Sequence, residues 1–294
     1  MNAARLADGN ADPYWRTLLV LGRTSNLPTV WSNCVAAWLL ARGGGIGRLF
    51  WVLAGGTFLY VGGMFLNDAF DVEFDRRHRP ERPIPSGAIP PREVWFYGVC
   101  LLMLGLFCVV WISSATALLG LFLVATILVY DAIHKIITFA PVLMALCRLF
   151  LFLMAASAGL HGVTGLALWS AIALAGYIIG LSYLARKESV RGAFQIWPCL
   201  LMAMPVVLGW FVNDAEYRPR YYLLSLVLLL WVGRSLHYTF FTASRNVGRT
   251  VSGLLAGIVL VDLLAAGGPS VPLSIFFFLL FVAALLLQRI VPAT

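Results

Sequence analysis

The chain has 294 residues, of which 61% are hydrophobic and 12% charged, with a mean hydropathy of +0.88. Such a composition excludes an ordinary soluble domain and describes a polytopic membrane protein. The net charge of +8 does not point to nucleic acid, because the bases sit in short loops between apolar stretches and form no basic domain.

A hydrocarbon core of about 30 Å takes about 20 helical residues, and apolar windows of that length recur from Thr17 to the C-terminus. The expected fold is all-α, a single domain over residues 1–294 with roughly nine or ten transmembrane helices. With the N-terminus taken as cytoplasmic, 14 Lys and Arg residues fall on the cytoplasmic side and 4 on the other. Arg23, Arg148 and Arg234 complete the 21, inside apolar stretches. That excess orients the chain by the positive-inside rule and places it in the cytoplasmic (inner) membrane. The five cysteines all lie in apolar segments without paired spacing and read as small buried hydrophobes. The first dozen residues lack an apolar core, so targeting is expected to come from the first span.

That span, at about residues 17–40, carries Arg23, Asn26, Pro28 and Asn33. Pro28 suits a helix start, and Arg23 can snorkel from a helix end. Asn33 lies mid-span and either bonds a neighbouring helix or lines a polar cavity. A second apolar run, residues 50–66, leads directly into NDAFDVEFDRRHRPERPIPSGAIPP, residues 67–91. At about 100° per residue, Asp68, Asp71 and Asp75 fall within about 60° of one another on a helix, and Asn67 widens the arc to about 100°. Three carboxylates on one face at the edge of hydrocarbon repel each other and are costly to desolvate. Either Arg76, Arg77, Arg79 and Arg82 neutralise them, or a cation gathers them, and oxygen-only ligands favour Mg²⁺.

Asn67-Asp68-x-x-Asp71-x-x-x-Asp75, followed by Arg79-Pro80-Glu81-Arg82-Pro83-Ile84-Pro85-Ser86-Gly87, resembles the first aspartate motif of the UbiA superfamily of intramembrane prenyltransferases. The wording NLPTVWSN, RPERPIPSG and YDAIHK is most similar to its EboC-type branch. The resemblance implies a ring of helices around a central cavity. It also implies Mg²⁺ at Asp68, Asp71 and Asp75, supported by Asn67, and a prenyl diphosphate under the basic loop with Arg79 and Arg82. It tips Asn33 toward the cavity, and Arg23 joins the candidate substrate contacts.

Further along, Pro83, Pro85, Pro90, Pro91 and Gly87 forbid a continuous helix, so residues 79–91 should form an ordered loop. Spans at about 94–112 and 115–133 are joined by little more than Ser113-Ser114 and must be antiparallel neighbours. The second of them ends in Tyr130-Asp131-Ala132-Ile133-His134-Lys135, before Pro141. An interfacial Tyr and Lys are what membrane anchoring alone would supply, whereas the resemblance makes Tyr130 a substrate contact and Lys135 a catalytic phosphate contact. Arg148, well inside the span at 140–160, is expected to pair with a carboxylate or an anionic ligand.

The span at 164–184 ends in Ser182-Tyr183-Leu184-Ala185-Arg186-Lys187-Glu188, where the family carries a second aspartate pair. Here Tyr183, Arg186 and Lys187 stand in its place, and fixed cations are expected to offset the diphosphate directly. Spans near 195–212 and 221–241 follow, the latter with Arg234 and His237, and the last third carries no assigned role.

The resulting expectation is Mg²⁺-dependent transfer of an isoprenyl group to a lipophilic acceptor, aromatic rings first among them, within membrane lipid. A membrane terpene cyclase would use the same ionisation, and a lipid-binding or transport protein would keep the pocket without turnover.

Overall fold

The computed structural model describes residues 13–186, 197–212, 218–242, 245–267 and 270–292. Among these, every regular element is helical. In chain order they are α1 (Tyr14–Leu21), a 3₁₀ turn (Thr24–Asn26), α2 (Leu27–Leu40), α3 (Ile46–Phe70), α4 (Val72–His78), α5 (Pro91–Val110), α6 (Ser114–Ile133) and α7 (Ala140–Ser157). There follow α8 (Gly165–Arg186), α9 (Trp197–Leu201), α10 (Met204–Val212), α11 (Arg218–Phe240), α12 (Val247–Ala265) and α13 (Val271–Ile290). Eight of them, α3, α5 to α8 and α11 to α13, are long and apolar enough to cross a membrane. Their outer faces present residues such as Phe96, Phe107, Trp111 and Phe278 to the surroundings. That surface suits lipid and would be a liability in water.

Two expected spans are broken. The first divides at Arg23, which adopts φ 42° and ψ 48° ahead of the 3₁₀ turn, and α2 begins afresh with Pro28 in its first turn. A left-handed backbone at a residue bearing a Cβ costs energy, and such positions concentrate at functional sites. The span expected near 195–212 is the pair α9 and α10, each with a proline in its opening turn, Pro198 and Pro205. Proline starts a helix well but cannot continue one, having no N–H to give.

Six helices close on themselves: α2 packs on α3, α3 on α6, α6 on α7, α7 on α8, α8 on α12, and α12 back on α2. A cavity of about 600 Å³ opens among them, lined from α3, α4, the 79–90 loop, α6, α7, α8, α12 and the α1–α2 connection. This is the ring that the sequence predicts. Outside it, α5 lies on α3 and α6, while α11 and α13 lie on α12.

The α3–α5 contact is a seam of small residues. A Cβ on Gly62 would stand 3.0 Å from the Gly98 carbonyl oxygen, and one on Gly98 would stand 2.6 Å from Leu66 Cδ2. Such contacts let membrane helices approach closely without a hydrophobic driving force between them. Ser113 caps α6 by accepting from the Thr116 N–H at 3.1 Å, which turns the chain sharply from α5 into its antiparallel neighbour. The 79–90 loop is ordered, as predicted. Ile84 and Ile89 bury themselves with Leu21, Phe65, Ala69, Val72 and Val94 in a second apolar cluster, and Gly87 takes the φ of +79° that its turn requires.

Candidate active site

Many of the polar groups predicted from sequence gather at one end of the cavity. α3 ends at Phe70, and the chain bends at Asp71 before α4, with i to i+4 bonding kept through the bend. The Asp71 N–H donates to the Asn67 carbonyl at 3.0 Å, and the Asp75 N–H to the Asp71 carbonyl at 2.8 Å. Asn67, Asp68, Asp71 and Asp75 are therefore presented on consecutive turns, and all four are buried.

They do not share one set of neighbours. Asp71 lines the cavity, and its Oδ2 lies 3.0 Å from Lys135 Nζ and 3.4 Å from His134 Nε2. Burial pushes its carboxyl upward, but hydrogen bonds and charge from His134 and Lys135 hold it below the usual carboxylate range. Asp68 and Asp75 sit behind the cavity wall and both engage Arg82, at 3.3 and 2.9 Å. Arg23 Nη2 donates to Asn67 Oδ1 and Asp68 Oδ1, each at 3.3 Å. The neutralising role that the sequence offered to four arginines thus falls in part to Arg82, while Arg76 pairs with exposed Glu73 at 2.7 Å.

Arg82 and Arg79 reach the cavity because Ile84 and Ile89 anchor their loop. Tyr130 also lines it and stacks on His134, ring centroids 4.8 Å apart. Lys135 lies over the Phe74 ring at 4.2 Å and so reaches the mouth from the α6 end. Arg186 lines the cavity from α8 and donates from Nη1 to the Ile137 and Thr138 carbonyls, 2.8 Å each.

Three expectations are met differently. Asn33 is fully buried but does not line the cavity. Its carbonyl oxygen accepts from Arg148 Nη1 at 2.9 Å and its amide donates to Asp262, so it serves as a helix-to-helix link, the other of the two roles open to a mid-span Asn. Tyr183 packs edge-on against Trp197, centroids 4.8 Å apart, and does not reach the cavity wall. Lys187 lies outside the described residues. Arg148 does line the cavity, about 12 Å along α7 from Ala140 at 1.5 Å per residue. Among the described residues it makes no ion pair within 4.0 Å; its guanidinium is held by Asn33, by Thr29 Oγ1 at 3.0 Å and over the Tyr60 ring at 5.5 Å.

Sequence reasoning missed three residues. Asp131, buried on α6, accepts from Asn67 Nδ2 at 3.0 Å and lines the cavity. His134 joins Lys135 at Asp71. Asp262, fully buried on α12, accepts from Ser32 Oγ at Oδ2 and from Asn33 Nδ2 at both carboxylate oxygens. An acid one turn before Lys135, inside an otherwise apolar span, was the available signal for Asp131.

The donor chemistry suits a hard divalent cation. Asn67, Asp68, Asp71, Asp75 and Asp131 offer only oxygen ligands beside the cavity mouth, and Asp75 Oδ1 and Asp131 Oδ2 are buried without a hydrogen-bond partner among the described residues. No three His, Cys, Asp or Glu groups among the described residues converge into a ready-made cage. Mg²⁺ typically needs only one or two carboxylates, completing its shell with water and substrate phosphate.

Away from the mouth the cavity is mainly apolar, with Gly56, Gly63, Leu123, Leu151, Leu181 and Leu255 among its lining residues and Arg148 as a charged exception. Its shape is that of a charged mouth above an oily shaft.

Comparison with known proteins agrees with this architecture. The digeranylgeranylglyceryl phosphate synthase of Pyrococcus abyssi is 32% identical over 159 residues, 51% of this chain and 54% of that protein. The chain thus spans about half the length of this curated relative. Among solved structures, a UbiA homolog from Aeropyrum pernix K1 superposes with a TM-score of 0.61 at 15% identity, over 81% of this chain and 96% of that one. A UbiA homolog from Archaeoglobus fulgidus bound to DMAPP and Mg²⁺ gives 0.53 at 15% identity, over 93% and 99%. The UbiA prenyltransferase family matches residues 26–193, from the foot of α2 past the end of α8 and through the whole of the motif-bearing mouth; the chain belongs to that family.

Proposed function

We propose that this protein is a Mg²⁺-dependent intramembrane prenyltransferase that moves an isoprenyl group from a prenyl diphosphate to a lipophilic acceptor. The observation that carries the reading is the cavity itself, in which Arg23, Arg79, Arg82, Lys135 and Arg186 gather with Asp71 at one end while the remaining wall, Arg148 apart, is mainly apolar. A prenyl diphosphate has the same division, an anionic head on a hydrocarbon chain. The names of the Pyrococcus and Archaeoglobus proteins, one a synthase of a prenylated lipid and one bound to DMAPP and Mg²⁺, support it.

In this reading Asp71 would hold the metal from the cavity wall, with Asn67 beside it. Asp68 and Asp75 seat Arg82 beside the mouth and would add further oxygen ligands for the metal. Bound Mg²⁺ would supply Lewis-acid stabilisation of the departing diphosphate. Lys135, Arg79, Arg82 and Arg186 hold phosphate oxygens and offset the charge that grows there as the carbon–oxygen bond breaks and its electron pair leaves with the diphosphate. The apolar wall excludes water from the allylic carbon, which keeps it for the acceptor. The acceptor closes the new bond to that carbon and loses a proton. Arg186 as the cation on the α8 side fits a chain without the second aspartate pair.

The membrane is proposed to be the cytoplasmic one with the mouth facing the cytoplasm, because α4 and the 79–90 loop carry Arg76, Arg77, Arg79 and Arg82 on that side of the bundle.

The test is mass spectrometry of the purified protein with C10 to C20 prenyl diphosphates, Mg²⁺ and candidate aromatic and lipid acceptors. Acceptor-dependent release of diphosphate with a prenylated product is the expected result. Diphosphate release with a cyclised product and no acceptor would make it a cyclase, and binding without release would make it a lipid carrier.

A further inference from the structure

We infer that Asp131 is a ligand of the divalent cation at the cavity mouth, so that α6 supplies the second carboxylate that this chain lacks at the end of α8. The inference rests on the metal-dependent function proposed above and names a residue outside the aspartate motif.

The two oxygens of Asp131 are in unequal positions. Oδ1 accepts from Asn67 Nδ2 at 3.0 Å, while Oδ2 is buried without a hydrogen-bond partner among the described residues. The residue is 4% exposed, and yet it lines the cavity. A buried carboxylate oxygen with no donor is strongly unfavourable unless something arrives to satisfy it. The nearby bases do not fill that role. Lys135 and His134, next on the same chain, are turned to Asp71 at 3.0 and 3.4 Å, and among the described residues Asp131 makes no ion pair within 4.0 Å.

Asn67 explains how the atom comes to be left over. Its side-chain amide fixes one oxygen of Asp131, and its main-chain carbonyl receives the N–H of Asp71 at 3.0 Å. One motif residue thus positions the acid of α6 and the acid at the end of α3 against the same cavity. Two carboxylates on different helices disfavour each other's charge until a cation is shared between them. Two are also as many as Mg²⁺ commonly takes from protein when a diphosphate supplies further oxygens.

The experiment uses the full chain in detergent, Mn²⁺ as the spin probe and inorganic diphosphate as co-ligand, read by electron paramagnetic resonance titration. Asp131→Asn keeps an oxygen for the Asn67 amide but removes the anionic ligand, and should weaken Mn²⁺ binding at least tenfold. Asp131→Cys should trade the hard ion for a soft one, binding Cd²⁺ with a thiolate charge-transfer band stronger than that from the native cysteines of the parent protein. Unchanged Mn²⁺ affinity in Asp131→Asn overturns the inference. So does an Asp131→Cys protein that takes up Cd²⁺ no better than the parent, should the Asn variant fail to fold. Prenyl transfer by the parent protein is assayed separately. Normal transfer beside Asp131-independent Mn²⁺ binding removes the ligand and leaves the function, whereas Asp131-dependent binding without transfer does the reverse.

Discussion

Arg148 and Asp262 do not form an ion pair, yet a single amide joins them. Asn33 accepts from Arg148 at 2.9 Å and donates to the two Asp262 oxygens at 2.8 and 2.6 Å. An arginine inside the membrane thereby has its charge balanced at one remove, while its guanidinium stays on the cavity wall. Groups sharing such a network in low dielectric polarise one another and are energetically coupled.

Asp262→Asn should therefore destabilise the protein by about 1 to 3 kcal/mol, the range for leaving a buried donor without its acceptor. Arg148→Met in the same background should return part of that loss. Unfolding of both single variants and the double in micelles gives the coupling, which neighbours in one network place at about 0.5 to 3 kcal/mol. Simple additivity would show that the amide transmits nothing.

Asp71 is the motif acid on the cavity wall, touched by both Lys135 and His134. Asp71→Asn keeps the shape and removes a hard anionic ligand. Prenyl transfer should drop by orders of magnitude while the protein still elutes as a single folded species. Wild-type turnover in this variant would remove Asp71 from the metal site.

Ser86 is exposed on the 79–90 loop. A cysteine placed there should react with a membrane-impermeant thiol reagent in inverted vesicles and stay unreacted in intact cells. Labelling of intact cells would reverse the proposed sidedness.

Arg186 has two attachments, the cavity and the carbonyls of Ile137 and Thr138. Arg186→Ala should weaken diphosphate binding by about 1.5 to 3 kcal/mol, as expected for loss of a charged hydrogen bond. Amide exchange in the α6–α7 connection should quicken as well. Arg186→Lys restores the charge and not the fork, so affinity should recover further than exchange protection. Titration calorimetry with a prenyl diphosphate and exchange mass spectrometry separate the two effects. If neither changes, Arg186 is only an interfacial anchor.

The helical class, the long spans and the basic mouth were legible because each depends on local composition. Apolar length marks a span, and an acid at its end is conspicuous against leucine. What the sequence hid depends on partners far along the chain. Asn33 turns away from the cavity because Asp262, 229 residues later, holds its amide, and no local pattern announces such a pairing. Asp131 stood in a motif already singled out, but its importance comes from Asn67, 64 residues earlier. The break at Arg23 was equally silent, since left-handed backbone at an arginine has no compositional mark of the kind glycine provides.

The glycine seam between α3 and α5 makes the two sides of the mouth unequal. A Cβ added to Gly98 would stand 2.6 Å from Leu66 Cδ2, so α3 and α5 pack too closely for any side chain there, and the 79–90 loop joins the same block through Ile84 and Ile89. That half of the mouth is a fixed jaw. The opposite half, the short α6–α7 connection with exposed Ile136 and Phe139, is tied by polar contacts: Lys135 and His134 on Asp71, and Arg186 on two carbonyls. In the proposed function a diphosphate at the mouth would compete for Lys135 and Arg186, the same two side chains that tie the α6–α7 connection to Asp71 and to α8.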